Sequence, residues 1–94
     1  MAADFFYFMD MLAPEQSRAA RGWLDWSQEE LAKRAGVSPS TVRDFEKGRR
    51  VPIGNNLQAM RNALESAGIG LLFKDDAATG VTKVALDRRP GAGN

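Results

Sequence analysis

The sequence predicts a mainly helical fold, four helices followed by a C-terminal β-hairpin, on three observations. Between residues 14 and 67 the apolar residues recur at three- and four-residue steps, the spacing of one helix face. Start and stop residues punctuate that stretch at Ser27 and Gly36, and again at Ser38 and Gly48, the order in which helices begin and end. Beyond Gly68 the apolar period shortens to two, the alternation of a half-buried strand.

Residues 14–25 read as the first helix. Pro14 suits the first helical position, where no amide donor is needed, and Ala19, Ala20, Trp23 and Leu24 are expected to form its buried stripe. Residues 28–35 read as the second. Ser27 is its N-cap and Glu30 the third helical residue, so the pair has capping-box spacing. Trp26 and Leu31 have the spacing of a hydrophobic staple across that start. Gly36 supplies the left-handed residue that ends the helix. Residues 39–47 read as the third helix, with Ser38 as N-cap, Pro39 at the first position and Gly48 as the stop. Val37 and Val42 repeat the staple spacing. Val42 and Phe45 face inward; Ser40, Arg43, Asp44 and Lys47 fall on the opposite side of the wheel. Residues 55–67 read as a fourth helix, capped by Asn55 or Asn56, with Leu57, Met60, Leu64 and Ala67 on its inner face. Ile69, Leu71 and Phe73 alternate, as do Thr82, Val84 and Leu86. The polar stretch from Lys74 to Gly80 between them is expected to be a long hairpin loop.

Composition narrows the function. The chain has 94 residues, no cysteine and no histidine, which sets aside disulfides, thiolate chemistry and the common zinc sites. No cofactor or metal is expected. With no phosphate-binding glycine loop either, an enzyme is not expected. The longest apolar run, Phe5 to Met9, is far short of the roughly 20 residues of a membrane span, and no basic stretch precedes it as in a secretory signal. A cytoplasmic location is the expectation. The net charge is +1, but it is unevenly spread: residues 1–16 carry −3 and residues 17–50 carry +3. Lys47, Arg49 and Arg50 form the densest basic cluster, at the end of the third helix and just beyond it.

The second and third helices have the residues a helix-turn-helix requires. Two helices crossing over a short turn need a small residue at the crossing, and Ala32 provides it. The turn needs a residue tolerant of positive φ, and Gly36 follows four positions later. Val42 packs the recognition helix back on its partner, and Leu31, Val37 and Phe45 complete the shared core. The run from Ser27 through Val42, followed by Phe45-Glu46-Lys47-Gly48, resembles the Cro/C1-type helix-turn-helix family, which includes the lambdoid phage repressors and the Xre regulators. The resemblance covers about residues 14–68 and implies a lambda-repressor-like domain that binds double-stranded DNA. It implies a groove-edge contact for Gln28 and recognition-helix roles for Ser38, Ser40, Thr41, Arg43 and Asp44. It also implies a structural salt bridge between Arg21 and Glu46. Pro39 departs from relatives that place a polar reader there.

Physical chemistry supports that division of roles. The N-terminal part of a recognition helix enters the major groove. There Arg43 suits guanine, Asp44 suits cytosine, and Ser40 and Thr41 suit bases or phosphates. Lys47, Arg49 and Arg50 suit phosphates. The ends are less determined. Residues 1–13 form an apolar extension, with Met11 an alternative start. Residues 69–89, the hairpin, need a partner: either a second subunit, in a dimer to which Phe5 to Phe8 add a strand, or the chain's own helical body. Residues 90–94 are expected to be a disordered tail. A homodimer would favour a palindromic operator with half-sites about 10 bp apart. The reading is a transcriptional regulator, most simply a repressor. The alternatives are an antitoxin that also binds a protein toxin, and an interaction module without DNA binding.

Overall fold

The structure, a computed structural model, describes residues 11–84. The aromatic run Phe5 to Phe8, Leu86 and the tail from residue 90 lie outside the described residues. Four helices, α1 (Pro14–Leu24), α2 (Gln28–Ala35), α3 (Pro39–Glu46) and α4 (Gly54–Ser66), precede the antiparallel strands β1 (Ile69–Lys74) and β2 (Ala77–Lys83). None of the helices among these residues is long and apolar enough to cross a membrane. A single core of Leu12, Ala20, Leu31, Ala32, Val42, Phe45, Leu57, Met60, Leu64 and Ile69 joins every helix to β1. Helix α2 packs on α3 and α4, α1 packs on α3 and β2, and α4 packs on β1.

Three helices end in the same hydrogen-bonded pattern. After α2, Gly36 is left-handed at φ 74°, the Val37 amide donates to the Ala32 carbonyl at 3.0 Å, and the Gly36 amide reaches Lys33 at 3.3 Å. After α3, Gly48 sits at φ 76°, with Arg49 donating to Asp44 and Gly48 to Phe45, both at 2.9 Å. These are Schellman stops, which satisfy carbonyls the helix leaves open. Helix α1 stops the same way at Asp25, φ 60°, with Trp26 donating to Arg21 at 2.9 Å. The helix starts are more varied. Ser27 Oγ accepts the Glu30 amide at 2.9 Å. The Glu30 carboxylate, expected to close the capping box, lies instead 2.6 Å from Arg34 Nε. Arg34 also stacks over the Trp26 ring, 4.3 Å from its centroid. Helix α4 begins earlier than expected: its N-cap is Ile53, which offers no side-chain cap, rather than an asparagine.

The buried stripe of α1 also differs from expectation. Trp23 is 62% exposed and Ala19 is exposed. The inward face runs instead through Ala13, Gln16, Ser17 and Ala20, because α1 meets the body through hydrogen bonds as well as apolar contact. The Gln16 side chain accepts from the Ala13 amide at 2.9 Å and donates to the carbonyls of Leu72 at 2.9 Å and Gly80 at 3.1 Å. One buried carboxamide thus ties the start of α1 to both strands.

The expected long loop of the hairpin is absent. Lys74 pairs with Ala77, leaving Asp75 and Asp76 as a two-residue turn with φ 53° and 66°. Positive φ at both positions is what a type I′ hairpin turn demands, and aspartate tolerates it better than most residues. Residues Ala77 to Gly80 are therefore strand, not loop. Leu72 pairs with Gly80 but Phe73 with Ala78, so Thr79 is an extra residue, a β-bulge. The bulge lies beside the carbonyls that Gln16 takes. Ile69, Leu71 and Val81 face the helical body.

Candidate nucleic-acid interface

Helix α3 is held from below by one acid. Glu46 closes its last turn, 2% exposed, and its carboxylate collects donors from two other helices. Arg21 of α1 grips it with two bonds, Nε to Oε2 at 2.8 Å and Nη2 to Oε1 at 2.7 Å. The Ser17 hydroxyl donates to Oε2 at 2.5 Å, and Gln28 Nε2 of α2 donates to Oε1 at 3.0 Å. Arg18 donates to the Glu46 backbone carbonyl. Burial alone would push the carboxyl pKa up, but the bonds from Arg21, Ser17 and Gln28 outweigh it and hold the group below its ordinary value. The Arg21 guanidinium is correspondingly raised by its bond to Glu46. A fork of this kind fixes orientation as well as distance. Together with buried Val42 and Phe45, it sets the rotation of α3 about its axis.

That rotation decides which residues face out. Ser38, Pro39, Ser40, Arg43, Lys47, Arg49 and Arg50 are exposed, and Thr41 and Asp44 half-buried. At the N-terminal end the Ser38 hydroxyl accepts the Thr41 amide at 3.1 Å. It also lies 2.8 Å from the Thr41 hydroxyl and 3.1 Å from that of Ser40. These three residues form one hydroxyl cluster, in which Ser38 is engaged as the cap. Arg43 lies 3.8 Å from Asp44, a loose surface pair that costs little to separate. Lys47, Arg49 and Arg50 follow on the same exposed turn. Gln28 is half-buried and uses one N–H of its amide on Glu46, so it is tied to the frame of the site while keeping its second N–H and its oxygen.

Sequence reasoning misses Gln16, Ser17 and Arg18 as parts of this frame. Their signal is present: Ser17 and Arg21 are one turn apart on α1, beside the buried Ala20. It also misses Val51 and Ile53, which border a groove alongside α3.

Two short helices crossing over a glycine turn, the second presenting hydroxyls and cations outward, define a helix-turn-helix DNA-binding domain. Comparison with family models gives the particular lineage: the helix-turn-helix model matches residues 18–67, and the chain belongs to that family, the Cro/C1-type or Xre regulators. No curated protein matches the chain.

Proposed function

We propose that the protein is a transcriptional repressor that places α3 in the major groove of a palindromic operator as a homodimer. The observation that carries this is the division of α3 itself. Val42, Phe45 and Glu46 are buried, with Glu46 bonded to α1 and α2, while Pro39, Ser40 and Arg43 are exposed and Thr41 and Asp44 half-exposed on a mainly polar outer side. In this reading Arg43 donates to guanine, and Asp44 accepts from cytosine once parted from Arg43. Ser40 and Thr41 touch bases or phosphates, and Ser38 orients that helix end. Lys47, Arg49 and Arg50 bind phosphates, and Gln28 contacts the DNA at the groove edge, its amide oriented by the bond to Glu46. Selection of bound duplexes from random DNA, with stoichiometry measured on the winning site, tests it. Two protomers on a palindrome are expected; one protomer on a site without symmetry would overturn the dimer.

A second reading is an antitoxin, and one observation is compatible with it. The outer face of the hairpin leaves Leu72 and Val84 exposed, at 44% and 45%, a surface open to a second copy or a protein toxin. Co-purification of a second polypeptide in stoichiometric amount would favour the antitoxin.

A further inference from the structure

Ile53 occupies the N-cap of α4, where serine, threonine, aspartate or asparagine would satisfy an open amide. Its side chain makes no such bond. It is also 68% exposed, and Val51 is 40% exposed. Pro52 between them is buried. The extended segment therefore turns Pro52 to the body and its two neighbours outward together. The N-cap thus carries an aliphatic side chain in solvent where a hydrogen-bonding one is preferred.

Both residues border an open groove of about 390 Å³ whose other wall is Ser40, Thr41 and Asp44 of α3, with Arg50 in its lining. One side is aliphatic carbon from Val51, Pro52 and Ile53 with the Asn56 carboxamide beside it; the other is hydroxyls and a carboxylate. The groove is continuous with the recognition surface, and Arg50 draws it toward phosphate. The Ser40 and Thr41 hydroxyls can donate to an acceptor atom while Val51 and Ile53 contact an isolated methyl, a pair that one base edge can carry. In the major groove only thymine presents that pair, the O4 acceptor beside the C5 methyl.

We propose that Val51 and Ile53 read a thymine methyl, making the segment between α3 and α4 a second sequence-reading element beside the recognition helix. This role rests on α3 entering the major groove. It assigns the apolar positions to specificity, so their contribution disappears when the methyl is removed and the rest of the base is kept.

Duplexes from the selection are resynthesised with uracil in place of thymine, one position at a time, and titrated with the full chain and with Ile53→Ser. At one position per half-site the native chain is expected to lose about fourfold in affinity, the factor for burying one methyl-sized group. Ile53→Ser is expected to bind thymine and uracil there equally, and Val51→Ser to discriminate less than the native chain. Ile53→Ser supplies the missing cap, so it is expected to melt about 4 °C higher, which separates a reading defect from misfolding. Uracil tolerated at every position by the native chain overturns the proposal. So does Ile53→Ser that discriminates as the native chain does at every position. If the native chain protects no major-groove face in a footprint, the DNA reading itself fails and takes this one with it.

Discussion

At the scale of single residues, Glu46 carries the most structure. It is buried, charged, and the meeting point of α1, α2 and α3. Replacing it with glutamine removes the charge and leaves the Arg21 guanidinium without its counter-ion. Breaking one side of a buried pair costs about 3 kcal/mol, so Glu46→Gln should lower the urea midpoint by that equivalent. A loss under about 1 kcal/mol would mean the pair is no better than a surface one. The pH dependence has a definite sign. Glu46 titrates below the ordinary carboxyl value of 4.5 in the folded chain. Its stabilisation is therefore fully present above that value and is lost as pH falls through the native-state pKa. Denaturation curves for the native chain and Glu46→Gln should thus run parallel from neutral pH down to about 5 and converge below it. Arg43 is the contrasting case, exposed and only loosely paired. Arg43→Ala should leave stability nearly unchanged while costing about 1–3 kcal/mol of DNA binding and relaxing specificity at one base pair. Equal losses on selected and random DNA would remove its reading role.

At the scale of elements, the fold is held by ends as much as by faces. The Schellman stops at Gly36 and Gly48 fix where α2 and α3 leave off, and with them the crossing that presents α3. These boundaries are readable because each is encoded locally, by a cap residue and a glycine a fixed number of positions apart. The stripe of α1 is not, because its orientation is decided by Glu46, 29 residues beyond Ser17. No apolar count over residues 14–25 contains that partner, so Trp23 reads as buried when it is not. The hairpin turn is hidden for a different reason: Asp75-Asp76 lacks the glycine that usually marks a two-residue turn. The outward-facing polar residues of α3 are legible from their phase against Val42 and Phe45. The groove with Val51 and Ile53 is not, since its walls come from two elements. The turn yields a prediction of its own. Both aspartates adopt positive φ with two like charges side by side, so an asparagine followed by a glycine should suit the turn better. The double change Asp75→Asn, Asp76→Gly should stabilise the chain by about 1 kcal/mol, a rise of about 4 °C or more in melting temperature. A fall would mean the two carboxylates make a contact that matters more than the backbone.

At the scale of the whole molecule, a net charge of +1 conceals a segregated distribution. The residues that build the helix-turn-helix and the turn after it hold the positive excess, and the first sixteen residues are acidic. Among the described residues, Lys47, Arg49 and Arg50 gather on the exposed turn at the end of α3, and in the proposed reading they draw that face toward a polyanion. Arg49 and Arg50 test this cleanly. The Arg49 contribution to the α3 stop is its backbone amide, bonded to Asp44, so changing its side chain leaves the helix end intact. Each cation that neutralises a phosphate adds about 0.9 to the slope of log affinity against log salt. Arg49→Gln with Arg50→Gln should therefore flatten the slope by about 1.8 for each bound protomer and weaken selected and random duplexes alike. On a palindrome occupied by a dimer the change doubles, to about 3.6, so a change well above about 1.8 requires more than one bound protomer. An unchanged slope would place both guanidinium groups in bulk solvent and leave Lys47 and the amino-terminal turn of α3 to hold the phosphates. A flattened slope with affinity lost only on selected duplexes would instead make one of the two arginines a base reader.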